Sequence, residues 1–122
     1  MSKEIVIDGK KYVPADSIPN TAPAKSVKGM KYVVVRGYQS GVWVGYLQEQ
    51  EGTKVILVNA RNIWYWKGAA SLAQLSQEGF NTPKECKVTQ EIPSFTMLDA
   101  NTVIECTEQA RQVVANTAAW KA

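Results

Sequence analysis

The chain has 122 residues, of which 45% are hydrophobic and 20% charged, with a formal net charge of +3. These values are typical of a single soluble globular domain and exclude a disordered or fibrous chain. The sequence has no basic run that would follow a nucleic-acid backbone, no apolar run of the roughly 20 residues that span a bilayer, and no signal-peptide core, so we expect a cytoplasmic protein that binds neither DNA nor a membrane.

The N-terminal part of the chain divides into two predicted segments. Residues 1–13 are predicted as a hairpin, because Asp8-Gly9 separates two β-forming runs and is typical of a two-residue hairpin turn. Residues 14–30 are rich in Pro, Ser, Thr and Asn and predict a linker-like arm. We hypothesise that several copies of the chain bring Lys25 and Lys28 of this arm together at a second anion site.

A run of predicted antiparallel strands follows the arm. Gly-bearing turns separate three β-rich segments, at 31–38, 40–47 and 54–60. Gly45 lies inside an apolar strand and predicts a bulge or a close approach of another backbone or a ligand. Residues 61–67 are predicted to continue the meander as a fourth strand, after a bulge or bend at 60–62.

The second half of the chain predicts two helices. Ser71 with Gln74 is typical of a helix start, and Gly79 of a helix end, so we predict a helix near 69–78. Thr107 is predicted to cap a final helix whose buried stripe contains Ala110, Val113, Val114, Thr117 and Ala118.

Between these helices the sequence predicts further strands. The segment 87–99 mixes strand-forming residues with Pro93, which indicates an edge strand or a broken one, and 102–106 is a short strand. The whole predicts one α+β domain, 1–122: an antiparallel sheet with an N-terminal hairpin and two helices packed on it, in which 31–122 form the ligand-binding body.

The aromatic block Trp64-Tyr65-Trp66, between Arg61 and Lys67, is the least ordinary part of the sequence. One interpretation is a strand-to-helix corner held together by aromatic packing, which is the commoner use of such residues. The other is a site for a ligand with flat rings and phosphates, since aromatic faces stack on rings and the guanidinium group binds two phosphate oxygens at once.

Several kinds of chemistry have no support in the sequence. The chain contains no histidine, and its two cysteines, predicted to be buried free thiols, cannot supply a four-ligand zinc site. Phosphate-loop, dinucleotide-binding and nucleophile-elbow motifs are missing, and no carboxylates form an evident pair. We therefore expect no enzyme activity, cofactor or metal. What remains is a set of cations and stacking faces that suits ligand binding.

Four segments of the sequence carry a resemblance to a known family. Residues 64–72, with Trp64-Tyr65-Trp66-Lys67-Gly68-Ala69-Ala70-Ser71-Leu72, are the most specific of them. The segments 32–36, 41–47 and 104–111 also fit, so the similarity covers about residues 31–115. On these segments the chain resembles the Thoeris anti-defence family of phage and prophage proteins.

The resemblance implies a sponge that captures glycocyclic ADP-ribose in the cytoplasm of the infected bacterial host and blocks Thoeris immunity without cleaving the signal. It also implies a homo-oligomer built from dimers, and a cyclic trinucleotide as a further ligand at a separate site. From their chemistry we expect these ligand-binding residues: Arg36, Arg61, Trp64, Trp66, Lys67, Phe95, Thr107 and Arg111.

Two alternatives stay open at this point. The protein is an enzyme that degrades a cyclic nucleotide, or it is a phage structural or protein-interaction module with an aromatic interface. Recovery of intact ligand after denaturation distinguishes a sponge from the enzyme. A thermal or calorimetric response to glycocyclic ADP-ribose distinguishes it from the interaction module.

Overall fold

The computed structural model describes residues 4–7, 10–13 and 22–122 and has the α+β architecture predicted from the sequence. The strands are β1 (Glu4–Ile7), β2 (Lys10–Val13), β3 (Tyr32–Gly37), β4 (Gly41–Glu51), β5 (Lys54–Tyr65), β6 (Lys87–Val88), β7 (Ile92–Met97) and β8 (Ala100–Glu105). The helices are α1 (Leu72–Glu78) and α2 (Glu108–Ala115), with a short 3-10 helix at Pro83–Glu85. None of the described helices is long and apolar enough to cross a membrane.

The N-terminal strands β1 and β2 pair in the antiparallel sense with Ile7 opposite Lys10, as the predicted hairpin requires. The Asp8-Gly9 turn and residues 14–21 of the arm lie outside the described residues. The remainder of the arm, 22–30, is bonded to the body: the Ala24 N–H donates to the Cys106 carbonyl at 3.0 Å, and the Glu108 N–H to the Ala22 carbonyl at 2.9 Å. This part of the arm therefore lies against the start of α2.

The main sheet is curled. Its strands follow the order β6-β5-β4-β3-β8, and β7 pairs with the same edge of β5 as β6 does. Only Leu98 and Asp99 join β7, at one edge, to β8, at the other. The sheet must therefore bend until its two edges approach each other at this corner. The edge or broken strand predicted for 87–99 is confirmed, since the segment forms the two edge strands β6 and β7; the break falls at 89–91, and Pro93 lies inside β7.

Two hydrophobic clusters lie on the two faces of the sheet. The cluster inside the curl contains Val33, Val35, Val55, Leu57, Ala60, Met97 and Ala100, with Trp43 and Phe95 packed against it. The cluster on the outer face lies under the helices and includes Tyr32, Val34, Val44, Ile63, Leu75, Phe80, Ala110 and Val114. Because β3 contributes alternate residues to both, all four residues Tyr32 to Val35 are buried.

A β-bulge at Asn59 decides which residues of β5 face the helices. Asn59 has a φ of +53°, in the left-handed region that Asn tolerates better than most residues. The pairing shifts here, with Tyr46 opposite Val58 but Val44 opposite Arg61. The extra residue reverses the side-chain alternation, so Arg61 points to the outer face although Leu57 points to the inner one.

The bulge shows that the predicted fourth strand is wrong and that the prediction for Gly45 is correct. Residues 61–67 do not form a separate fourth strand: β5 runs without a break from Lys54 to Tyr65 and bends at the bulge, and residues 66 and 67 lie beyond its end. Gly45 lies opposite the bulge, where a Cβ atom would stand 3.1 Å from the Val58 carbonyl oxygen. The glycine therefore permits the close approach that its position in an apolar strand predicts.

The helix boundaries match the sequence signals. The Gln74 N–H donates to the Ser71 hydroxyl at the start of α1, and Gly79 ends the helix with a φ of +76°. Thr107 caps α2 through a hydrogen bond of 3.1 Å from the Ala110 N–H. Of the predicted stripe, Ala110, Val114 and Thr117 are buried and Val113 is half-buried, whereas Ala118 is exposed; α2 ends at Ala115, before the last two of these positions.

Asp99, in the β7–β8 connection, stabilises the corner where the two edges of the sheet approach each other. Its carboxylate accepts hydrogen bonds from the Gln39 N–H at 2.6 Å, the Ser40 N–H at 3.1 Å and the Ser40 hydroxyl at 2.6 Å. These bonds, that from the Ser40 hydroxyl first, hold the pKa of Asp99 below its ordinary value. They link the β7–β8 connection to the β3–β4 turn.

The lowered pKa predicts how stability depends on pH. A carboxylate with a lower pKa in the folded state contributes stability above its unfolded pKa, about 3.9 for Asp, and loses it as the pH falls through the folded pKa. Asp99→Asn should therefore be less stable than wild type at neutral pH, with a smaller further loss on acidification. Urea unfolding at pH 7 and pH 3 measures this. The matched variant Glu51→Gln, at the exposed end of β4, should keep the wild-type pH dependence; an unchanged pH dependence in Asp99→Asn would disprove the role of Asp99.

Candidate binding cleft

A cleft of about 400 Å³ opens between α2, the beginning of β3 and the bend of β5. Its lining contains the aromatic and charged residues Tyr32, Tyr46, Arg61, Glu91 and Arg111, together with Gln90, Ala115, Thr117 and Ala119. Two arginines and two tyrosines therefore converge from three strands and a helix onto one space.

The two tyrosines form one wall of the cleft. Antiparallel pairing places Tyr32 directly opposite Tyr46, and their rings meet edge to face with centroids 5.0 Å apart. Tyr32 is only 7% exposed, and burial raises the pKa of its hydroxyl, which is therefore a neutral phenol. This hydroxyl makes no hydrogen bond with the described residues, and Tyr32 is one of the residues that line the cleft. Tyr46, which is half-buried, offers its ring.

Arg61 forms the floor of the cleft and ties three parts of the chain together. Its side chain donates to the carbonyls of Thr89 at 2.8 Å, Val114 at 2.6 Å and Thr117 at 3.0 Å, with a longer contact of 3.5 Å to the Val88 carbonyl. The carbonyls of Val114 and Thr117 lie at the C-terminal end of α2, where the helix dipole favours a positive charge.

The charge of Arg61 is left without an ion pair in the described part of the chain. The residue is 8% exposed, and all its hydrogen-bond partners there are neutral carbonyls. Desolvation lowers the pKa of its guanidinium, which nevertheless stays protonated because an arginine cannot be deprotonated in a protein. Glu91, in the lining of the same cleft, favours the charged form of Arg61 without making an ion pair with it, so an anion that entered the cleft would stabilise this buried cation further.

Arg111 brings the second positive charge to the cleft. It lies one helical turn after the cap residue Thr107, and Glu108 holds it through bonds of 3.0 Å to Nε and 2.6 Å to Nη2. The hydrogen bond from Arg111 lowers the pKa of Glu108 to about 2, so the pair is ionised at neutral pH. Nη1 of Arg111 has no acceptor among the described residues and is therefore free to bind a ligand oxygen.

The cleft has the donors and surfaces for an anion that carries a ring. Arg111 Nη1 and the Tyr32 hydroxyl can donate to phosphate oxygens, the charge of Arg61 attracts the anion, and the Tyr46 ring provides a face for stacking. Glu91 adds a carboxylate to the lining and opposes anion binding. The volume falls within the range of about 300 to 1,000 Å³ that is usual for small-molecule sites.

The structure brings some of the residues predicted as ligand-binding into this cleft. Arg61 and Arg111 line it, although Arg61 supplies charge rather than free N–H groups. Thr107 is buried at the start of α2, where its hydroxyl also donates to the Gln77 carbonyl, and it acts by placing Arg111. The structure does not bring Arg36 or Phe95 there: Arg36 is exposed on β3, and Phe95 stacks on Trp43 at a centroid distance of 3.7 Å inside the curl of the sheet.

The aromatic block lies near the cleft but does not line it. Trp64 is 61% exposed and stacks on Trp120, whereas Trp66 packs against the outer cluster under the helices. Lys67 makes an exposed ion pair of 3.1 Å with Glu85. The block therefore combines a packing role, at Trp66, with an exposed aromatic pair.

The two lysines of the predicted second anion site lie on the surface, near the start of α2 and in a tight turn. Lys25 is exposed beside the start of α2, where its N–H lies 3.4 Å from Glu108 Oε1. Lys28 occupies the tight turn between Val27 and Met30 with a φ of +52°. Both lysines are on the surface, and the site that we hypothesise from several copies of the chain remains a prediction.

The tyrosines are the main functional candidates that the sequence analysis missed. A signal for them was present, because a turn between Gly37 and Gly41 fixes the register that places Tyr32 opposite Tyr46. Gln90, Glu91, Thr117 and Ala119 reach the cleft from loops and the C-terminal segment. No local pattern indicates these four.

The fold and this site define a small α+β protein with a cationic, tyrosine-lined cleft between a curled antiparallel sheet and its C-terminal helix. The chain belongs to the family described as Domain of unknown function (DUF6948), whose model matches residues 30–114. The matched segment contains both tyrosines and both arginines of the cleft and ends before Thr117. No curated protein and no solved structure matches the chain.

Proposed function

We propose that this protein binds and sequesters glycocyclic ADP-ribose, and so acts as a phage anti-defence sponge against Thoeris immunity in the cytoplasm of the bacterial host. The observation that carries the proposal is the convergence of Arg61 and Arg111 with Tyr32 and Tyr46 on one cleft, where Arg61 has no ion-pair partner among the described residues. The resemblance of residues 64–72 to the Thoeris anti-defence family adds the identity of the ligand.

The cleft suits the parts of such a ligand. A pyrophosphate carries its charge on several oxygens, which Arg111 Nη1 and the Tyr32 hydroxyl can bind while Arg61 compensates the charge from below. A purine ring would lie against Tyr46, since stacking on an aromatic side chain contributes on the order of 1 to 3 kcal/mol per base. Binding therefore needs neither a metal ion nor a cofactor.

Sequestration follows from mass action and slow release. The protein lowers the free concentration of the signal when it is abundant and when the complex dissociates slowly. A homo-oligomer built from dimers, and a second site for a cyclic trinucleotide that includes Lys25 and Lys28, are part of the proposal. Neither the oligomer nor the second site is needed for a ligand to bind in the cleft.

The test is to incubate the protein with glycocyclic ADP-ribose, measure the heat of binding, and then denature the mixture and analyse the nucleotide by chromatography. We expect a saturable heat with one ligand per cleft and recovery of unaltered ligand. Recovery of a hydrolysed product would identify a degrading enzyme instead. No heat and no change in melting temperature would favour a protein-interaction module.

A further inference from the structure

The C-terminal segment after α2 forms part of the cleft wall. We call residues 117–120 the C-terminal wall. Thr117 and Ala119 line the cleft on one side and a second cavity of about 510 Å³ on the other. The second cavity lies beside Pro83, Lys84 and Cys86. The C-terminal wall is thus a thin partition between two open spaces, and its position sets the size of the cleft.

The two ends of the C-terminal wall are held differently. Thr117 is buried, donates from its hydroxyl to the Val113 carbonyl at 2.7 Å, and accepts from Arg61. Ala119 and Trp120 lie along β6, where Ala119 bridges Val88 in the parallel sense and the Trp120 N–H donates to the Val88 carbonyl at 2.8 Å. Beyond Thr117 the side chains of the wall are exposed.

An aromatic contact on the surface fixes the far end. The indole of Trp120 stacks on that of Trp64 with centroids 5.1 Å apart, and Lys87 Nζ lies 5.1 Å and 5.3 Å from the two rings. Trp64 is 61% exposed and Trp120 is 42% exposed, so little apolar area is buried here. Contacts of this kind separate at a modest cost in free energy.

We propose that Trp64 and Trp120 are positioning residues that latch the C-terminal wall and thereby control how fast the cleft releases its ligand. Neither indole lines the cleft, and both act through the backbone between Thr117 and Trp120. This inference rests on the proposed ligand-binding function. The inference assigns a role to Trp64, an exposed residue of the aromatic block. Trp64 does not line the cleft and affects it only through Trp120, which holds the C-terminal wall.

Opening the latch joins the cleft to the neighbouring cavity. Displacement of Ala119 removes the partition that both spaces share, and a bound ligand loses the contacts that the wall makes with it. The tyrosines, Arg61 and Arg111 belong to β3, β4, β5 and α2 and keep their positions. The effect therefore falls on the dissociation rate more than on the association rate.

The experiment combines hydrogen exchange without ligand and release kinetics with glycocyclic ADP-ribose. The variants are Trp64→Ala, Trp120→Ala and the conservative Trp64→Phe. Tyr38→Ala is the matched control, because Tyr38 is an exposed aromatic residue in the β3–β4 turn, away from the wall. Exchange is followed in the peptide that contains the backbone amide of residue 120, and release is followed by chasing preloaded protein with unlabelled ligand.

We expect both alanine variants to exchange the backbone amide of residue 120 faster and to release ligand about 3- to 10-fold faster, which corresponds to the loss of one aromatic pair. Trp64→Phe should restore slow release, and Tyr38→Ala should match wild type. Unchanged release from both alanine variants, with binding by the wild type intact, would overturn the latch alone. Absence of any binding by the wild type would overturn the proposed function, and the latch with it.

Discussion

Replacing Arg61 by methionine is expected to lower the free energy of unfolding by about 3 to 5 kcal/mol, because hydrogen bonds from a charged donor contribute about 1.5 to 3 kcal/mol each. Methionine keeps much of the side-chain volume but leaves the carbonyls of Thr89, Val114 and Thr117 without their donor. The C-terminal end of α2 also loses a favourable positive charge. Urea unfolding followed by circular dichroism measures the change.

Two control variants test whether the loss of stability comes from the hydrogen bonds of the Arg61 guanidinium. Arg61→Lys should recover only part of the loss, because a single ammonium group cannot reach carbonyls on both β6 and the end of α2 with the geometry of the guanidinium fork. Arg36→Ala removes an arginine from the exposed surface of β3 and should change stability by less than about 0.5 kcal/mol. Equal stability of Arg61→Met and wild type would show that these bonds are not what holds α2 to the sheet.

The second large effect is expected in ligand affinity. Arg111→Ala should weaken the binding of glycocyclic ADP-ribose by about 10- to 100-fold, the range that corresponds to one or two lost charge-assisted hydrogen bonds. Its stability should change little, because the ion pair with Glu108 joins neighbouring turns of one helix and is partly open to solvent, and pairs of this kind contribute less than about 1 kcal/mol. Calorimetric titration, with a melting curve for each variant, separates these effects.

Removing the negative charge of Glu91 should have the opposite effect to Arg111→Ala and increase the affinity for the ligand. Glu91 is the carboxylate in the cleft lining that opposes an anion, so Glu91→Gln should tighten binding by about 2- to 5-fold at low salt. Arg36→Ala, outside the cleft, should leave affinity unchanged. Weaker binding by Glu91→Gln, or equal losses in Arg36→Ala and Arg111→Ala, would place the ligand elsewhere.

The local features of the fold could be read from the sequence because they depend on neighbouring residues. Ser71, Gly79 and Thr107 determine helix ends through bonds within one turn of the chain, and the structure has each of them in that role. Gly45 indicates close packing by its lack of a side chain. The bulge or bend predicted at 60–62 is found as a bulge at Asn59, but its effect on which face of β5 each residue occupies depends on pairing with β4, which no local pattern indicates.

The difference between local and tertiary determinants also explains which site residues could be predicted from the sequence. Arg61 and Arg111 were chosen for their chemistry, and the cleft contains both, yet the role of Arg61 depends on carbonyls from Thr89 to Thr117 that only the tertiary structure assembles. The chemistry of Phe95 is equally suitable for stacking. Its position inside the curl follows from β7 pairing with β5, which no local pattern indicates.

The aromatic block shows why residue type alone does not define a site. Trp64 and Trp66 are two residues apart, and alternation places them on one face of a strand. Because β5 ends at Tyr65, Trp66 leaves the strand and packs under the helices while Trp64 remains exposed against Trp120. The exposed pair thus depends on a contact with the far end of the chain.

A crystal structure of the protein soaked with glycocyclic ADP-ribose tests the central claim most directly. We predict ligand density between α2 and the sheet, with phosphate oxygens in hydrogen-bond contact with Arg111 Nη1 and the Tyr32 hydroxyl and a ring against Tyr46. Density for the ligand elsewhere on the molecule, with this cleft empty, would contradict the account.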